Sequence, residues 1–312
     1  MLSFKHAKLQ IFMDLFIINS MFAVVFKQSF MPIFTCKSDL KNCISQIKGV
    51  KSIGFVPTMG ALHKGHSSLI EKSVSENQVV VVSIFVNPTQ FDQPQDLLKY
   101  PKTIEKDVRL IKSISDSIIV FIPEVETLYD REVKSEAFDF GGLESRLEGK
   151  FRKGHFDGVA TVVSKLFDIV QPDKAYFGEK DYQQLLVIKR LVMEQNRSIQ
   201  VIGCPIIRES NGLAMSSRNQ RLTHDQRERS KLIYDCLQEV KEKVKLKQDL
   251  PSIHHWVEVY FKQDPDFQLE YFHITEEQSL QEIEGYSQEG TYRAFIAVYV
   301  AGIRLIDNLT LN

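Results

Sequence analysis

The chain has 312 residues, enough for one large domain or two ordinary ones. Apolar residues make up 43% of it and the formal net charge is -1, so a sizeable core is expected. No global field draws the chain to nucleic acid or to an anionic membrane, and any anionic ligand must be captured by local groups.

Residues 1–30 stand apart. Lys5 and Lys8 precede an apolar stretch, Leu15 to Phe26, in the manner of a signal peptide. Asp14, Asn19 and Ser20 interrupt the pattern, no small-residue cleavage site follows, and the stretch is too short for an ordinary membrane span. Three readings stay open: a dispensable extension with a start at Met21 or Met31, a targeting or membrane-contact segment, and an ordered extra helix.

From about residue 50 to 207, strand-like and helix-like runs alternate. Strands are expected over 52–58, 79–87, 117–123, 174–178 and 199–207, each apolar nearly throughout, as strands buried on both faces should be. Helices are expected between them, over 67–77, 103–115, 158–170 and 182–196. This alternation predicts an α/β fold, a Rossmann-like doubly wound parallel sheet over residues 31–207. After Arg208 the texture changes. One long charged helix is expected over Thr223–Lys247, another around Trp256, and strands over 269–275, 291–302 and 303–311. Residues 208–312 read as a smaller C-terminal α+β domain. The four cysteines, Cys36, Cys43, Cys204 and Cys236, form no CxxC pair and are expected to be reduced thiols of a cytoplasmic protein.

The strand candidates end in polar, turn-rich motifs: PTMG, NPTQF, PEVE, GEKD and RESNG. Ligands of an open parallel sheet bind at the carboxyl ends of its strands, near the switch in strand order. His63 and His66 open the first long helix on one face, where free backbone N–H groups favour an anion. Gly60 and Gly65 permit close approach of a ligand. Asn87 and Gln90 carry amides suited to hydroxyls or a carboxylate, with Phe85 and Phe91 as an apolar wall. Lys180 is a compact cation suited to phosphate, Asp181 can cap its helix, and Gln184 faces the strand ends from the first turn. Ser216, Ser217 and Arg218 form a dense set of phosphate-binding groups. Each motif alone also reads as a capped helix or a polar turn. A nucleotidyltransferase that makes no amide, or a silent nucleotide-binding protein, stays open on these residues.

Taken in order, VPTMGALHKGH, VSIFVNPTQF, GHFDGVATVVSKLFDIVQPDKAYFGEKDYQQL and GLAMSSRN resemble the pantothenate synthetase (pantoate–β-alanine ligase) family of the nucleotidylyltransferase superfamily. The resemblance extends from about Met31 to Leu311, taking in Tyr271–Phe272 and RLIDN at Arg304–Asn308. Residues 1–30 match nothing in it. It implies an enzyme that binds ATP and (R)-pantoate, forms pantoyl adenylate with release of pyrophosphate, and lets β-alanine displace AMP. Met59, Gly60, Ala61, Leu62, His63, Lys64, Gly65 and His66 would form the first ATP segment, with His66 in the family's proton-donor position. Gly178, Glu179, Lys180 and Asp181 would form the second, with Lys180 on the phosphates and acting with both histidines in catalysis. Ile207 stands where the family contacts ATP, usually with valine, and Met215, Ser216, Ser217 and Arg218 would close over the triphosphate. Gln90 would bind pantoate and β-alanine, and Gln184 pantoate. Mg²⁺ is implied as part of the ATP complex, with no metal site of the protein's own, and a homodimer is implied as the assembly. The chain has no GxxxxGK[ST] loop for a transferring γ-phosphate, which favours an adenylate over an acyl phosphate.

Overall fold

The computed structural model describes residues 31–312 apart from 92–93, 130–131 and 288, so the readings of residues 1–30 lie outside the described residues. Six strands form one sheet: β1 (Ile33–Phe34), β2 (Ile53–Thr58), β3 (Val79–Ile84), β4 (Ile119–Phe121), β5 (Lys174–Gly178) and β6 (Gln200–Cys204). They lie in the order β1-β4-β3-β2-β5-β6, and every neighbouring pair is parallel. The chain steps one way from β2 through β3 to β4, then returns to add β5 on the far side of β2. The order therefore reverses between β2 and β5, and a crevice opens there at the carboxyl ends of the strands.

The helices around and beyond this sheet are α1 (Lys37–Ser45), α2 (Lys64–Glu76), α3 (Pro94–Leu98), α4 (Ile104–Ile114), α5 (Val125–Tyr129), α6 (Leu147–Phe151), α7 (His155–Val170), α8 (Tyr182–Glu194), α9 (His224–Arg229), α10 (Lys231–Lys245) and α11 (Leu250–Lys262). Successive strand residues point to opposite faces. Phe55, Val81, Phe121, Ala175 and Phe177 pack with Leu40 of α1, Phe167 of α7 and Ile188 of α8. Val56, Val82, Val120 and Tyr176 turn the other way, against Ile70 of α2 and Ile111 of α4. Burial on both faces is why these strands read as continuous apolar runs.

The last three strands, β7 (Phe267–Glu276), β8 (Tyr292–Val300) and β9 (Ile303–Thr310), form an antiparallel sheet in that order. One face, through Tyr271, Phe295 and Ala297, joins the core of the large sheet. The other, through Phe272, Ile274, Ile296 and Val298, packs on α10 and α11 at Leu237 and Val257. The α/β fold and the smaller α+β part are as expected. The single helix over 223–247 is not: it divides into α9 and α10 at Ser230. The Ser230 hydroxyl, fully buried, donates to the Gln226 carbonyl at 2.7 Å, a side-chain bond that competes with the helical ladder. The expected strands over 79–87 and 199–207 also stop early, at Ile84 and Cys204, where the chain turns into the crevice. All four cysteines are free thiols.

Candidate active site

The loop from β2 to α2 makes one wall of the crevice. Gly60 (φ +78°) and Ala61 (φ +49°) take left-handed conformations. The buried carboxylate of Asp107, on α4, fixes this turn by accepting from Ala61 N–H at 3.0 Å and Leu62 N–H at 2.8 Å, and from the Thr103 hydroxyl. The turn delivers His63 to the N-cap of α2. Gly65 N–H donates to His63 Nδ1 at 3.2 Å, and His63 N–H donates to His66 Nδ1 at 3.3 Å. Both Nδ1 atoms accept, so each ring carries its proton on Nε2. The two rings lie 4.1 Å apart, centroid to centroid. Burial, with Lys180 nearby, lowers the His63 pKa to about 4. Burial, then His63 and Lys180, lower that of His66 to about 3. At neutral pH the pair is thus two uncharged imidazoles, each with an Nε2–H donor.

The turn after β5 makes the facing wall. Glu179–Asp181 form one 3₁₀ turn leading into α8. Asn308, on β9, donates to the carbonyls of Glu179 and Lys180 at 2.9 and 3.0 Å. Asn308 is itself held, since Arg293 donates to its side-chain oxygen at 2.6 Å and its N–H meets Asp307. Lys180 is largely covered and sits 3.6 Å from Asp181.

The floor lies beyond β3. Asn87 donates to the Gly158 carbonyl at 3.0 Å and to Gln90 Oε1 at 3.1 Å, while its own oxygen accepts from the Tyr129 hydroxyl at 2.6 Å. Asn87 lines the cleft, and its amide orients Gln90 from there. Gln90 Nε2–H donates to the Met59 sulfur at 2.9 Å. At the mouth, Ser216 accepts from Arg218 N–H at 3.2 Å, Ser217 pairs with the Tyr100 hydroxyl at 3.3 Å, and Arg218 and Arg221 grip Asp96 of α3 at 2.7 and 3.1 Å.

One cleft brings together Met59, His63, Gly65, His66, Gln90, Gly178, Lys180, Asp181, Gln184, Ile207, Met215, Ser216, Ser217 and Arg218, with Phe85, Phe91, Val159, Val163, Leu166 and Phe177 as its apolar wall. Gly60, Ala61, Leu62, Lys64 and Glu179 are not on its wall. Ala61 and Leu62 are buried behind the turn, Lys64 points to solvent, and Glu179 lies 3.9 Å from Arg293.

The family profile described as Pantoate-beta-alanine ligase matches residues 32–310. A pantothenate synthetase of Flavobacterium psychrophilum is 49% identical over 283 residues, covering 90% of this chain and all of that one. The chain belongs to the pantoate–β-alanine ligase family. The crystal structure of a pantothenate synthetase from Thermus thermophilus superposes with a TM-score of 0.83 at 36% identity, over 90% of this chain and 99% of that one. A pantoate–β-alanine ligase from Francisella tularensis, solved with "Beta-gamma ATP" and β-alanine, aligns with a TM-score of 0.72 at 34% identity, over 90% and 98% of the two chains.

Two residues that line this ligase cleft, and one that holds its histidine turn from behind, carry no local sequence signal. Asp107 acts on Leu62 from 45 residues away. Arg152 and His155, at the junction of α6 and α7, line the cleft beside Gln90. His155 Nδ1–H donates to the Gln90 carbonyl at 2.8 Å, so its Nε2 accepts, and Arg152 donates to it at 3.0 Å. Burial and Arg152 lower the His155 pKa to about 4. Its tautomer is the reverse of that in His63 and His66.

Proposed function

We propose that this ligase activates (R)-pantoate with ATP as pantoyl adenylate, releases pyrophosphate, and passes the acyl group to β-alanine with loss of AMP. One observation carries the reading: two neutral Nε2–H donors and Lys180 line one cleft together with the Gln90 amide and an apolar wall. Charge that builds on the α-phosphate meets donors already fixed to the backbone, and one such donor is worth about 3–4 kcal/mol of barrier. With a pKa of about 3, His66 acts as a hydrogen-bond donor to phosphate, with no imidazolium needed.

Lys180 neutralises the phosphates, and Met215 to Arg218 cover the departing pyrophosphate from the second unit. Gln90 holds pantoate and then the incoming amine, and Gln184 holds pantoate. Residues 31–207 bind the substrates, and residues 208–312 close over ATP and shield the adenylate from water. Mg²⁺ enters as part of the ATP substrate, held chiefly by phosphate oxygens and water. The enzyme works in the cytoplasm as a homodimer, which light scattering tests. The chemistry is tested by exchange of labelled pyrophosphate into ATP with pantoate present and β-alanine absent. Exchange is expected. Label that enters ATP only with β-alanine, or ADP in place of AMP, overturns the adenylate.

A further inference from the structure

Arg208 and Asp307 stand outside the cleft wall, yet they join the two segments that bring phosphate-binding groups to it. Residues 207–215 form a hairpin: Met215 N–H donates to the Ile207 carbonyl at 2.9 Å, and Glu209 N–H to the Leu213 carbonyl at 2.8 Å. Ile207 and Met215 both line the cleft, and Ser216 to Arg218 follow directly. Arg208 locks this hairpin. Its Nη1 donates to the Gly212 carbonyl at 3.1 Å, and its guanidinium lies over the Tyr234 ring of α10, 3.8 Å from the centroid. The same guanidinium meets the buried Asp307 of β9 through two bonds, Nη1 to Oδ2 at 2.6 Å and Nη2 to Oδ1 at 3.0 Å. The next residue, Asn308, holds the Lys180 turn by the two carbonyls described above. A void of about 30 Å³ between the two segments has Lys180, Ser216, Arg218 and Asp307 together in its lining.

We propose that Asp307 positions the pyrophosphate grip: through Arg208 and Asn308 it sets the spacing between the Met215–Arg218 loop and the Lys180 turn. The inference rests on the adenylate reading above. The two walls come from distant parts of the chain, and a departing β,γ-pyrophosphate must be held by both at once. Adjacent residues of one strand grip them, so a single covalent unit fixes how far apart they stand. Stability alone gives little reason for this ion pair. Two charges buried together lose their hydration, and apolar residues of similar volume often serve a core as well or better. What the pair adds is direction. One bond lets a side chain pivot, whereas two parallel N–H···O bonds fix the plane of the guanidinium. The Asp307 carboxylate is anchored in turn, because its Oδ1 also accepts from Asn308 N–H at 2.8 Å.

The test is pantoate-dependent exchange of labelled pyrophosphate into ATP, read as the KM for pyrophosphate and the KM for pantoate in each enzyme form. A smaller folded fraction lowers the rate and moves neither constant. The paired replacement Arg208→Met with Asp307→Leu removes both charges and is expected to keep the thermal midpoint of the wild-type enzyme. Its KM for pyrophosphate should nevertheless rise about 10–100-fold, the scale for a displacement of about 1 Å at a reacting group, while that for pantoate stays within threefold. Arg208→Lys keeps the charge and loses the fork, and should raise the pyrophosphate KM about 10-fold. A pyrophosphate KM within threefold of wild type in the paired replacement overturns the proposal, as does an equal rise in both constants. If the paired replacement gives no cooperative melt, Arg208→Lys decides by the same two criteria. Absence of exchange in the wild-type enzyme overturns the adenylate reading, and this proposal with it.

Discussion

Replacing His66 with asparagine separates two roles that one imidazole plays. The Asn Oδ1 can stand where Nδ1 stands and still accept from His63 N–H, a bond of 3.3 Å in the present structure. What disappears is the Nε2–H donor and the titrating ring. His66 has a pKa of 6.5 when unfolded and about 3 when folded. Between those values only the unfolded chain binds the proton, so unfolding takes up protons and acid favours it. The stability in question is present above pH 6.5 and is lost as pH falls toward 3. Integrated from pH 7 to pH 5, one such ring accounts for about 2 kcal/mol. This is an upper figure, because the ring keeps some surface open to the cleft. His63 and His155, both at about 4, act in the same sense. Carboxylates with ordinary unfolded values stay ionised over most of this window, so the histidines dominate it. Urea unfolding followed by circular dichroism at pH 7, 6 and 5 reads the effect. Between pH 7 and 5, His66→Asn should lose about 2 kcal/mol less than wild type, while adenylation falls about 10²–10³-fold. Equal acid losses in the two proteins refute the buried neutral imidazole. Near-normal pantoyl adenylate formation refutes its role as donor.

Asp107→Asn replaces one acceptor facing two backbone N–H groups by a donor, and should cost about 1–3 kcal/mol with faster hydrogen exchange at Ala61 and Leu62. Unchanged protection at those amides would show that the turn holds itself. Gln90→Ala should raise the pantoate KM about 10–100-fold and leave that for ATP nearly unchanged. Equal effects on both substrates would move the pantoate site elsewhere. Lys180→Ala should weaken ATP use, and Lys180→Arg should restore only part of it, since a planar fork cannot replace a compact ammonium. Wild-type kinetics in both would place Lys180 outside the reaction.

The large sheet was legible because β2, β3 and β5 are buried on both faces, and residues such as Phe55–Val56 and Val80–Val82 leave an unbroken apolar record. The cleft was legible where a motif acts locally, as in His63 capping its own helix. The two-residue β1 and the short helices α5 and α6 are set by packing and leave little periodic signal. The partners that orient Asn87, Tyr129 and Gly158, lie 42 and 71 residues away and leave no mark beside it in the sequence. Asp107, Arg152 and His155 were missed for the same reason. Their meaning lies in what the fold places beside them.

Asn308 ties the last strand of the chain to the Lys180 turn. It rides on β9, at the far end of the chain, yet its amide clasps the carbonyls of Glu179 and Lys180 across 129 and 128 residues. During synthesis the histidine turn and the Lys180 turn emerge long before β9 does. A ribosome-bound intermediate can therefore build the large sheet and bury its core while the Lys180 turn still lacks its clasp. Activity should switch on late, when β9 pairs with β8, and not in proportion to the length made. Proteolytic nicking between β8 and β9 should likewise disarm the enzyme without dissolving its larger half.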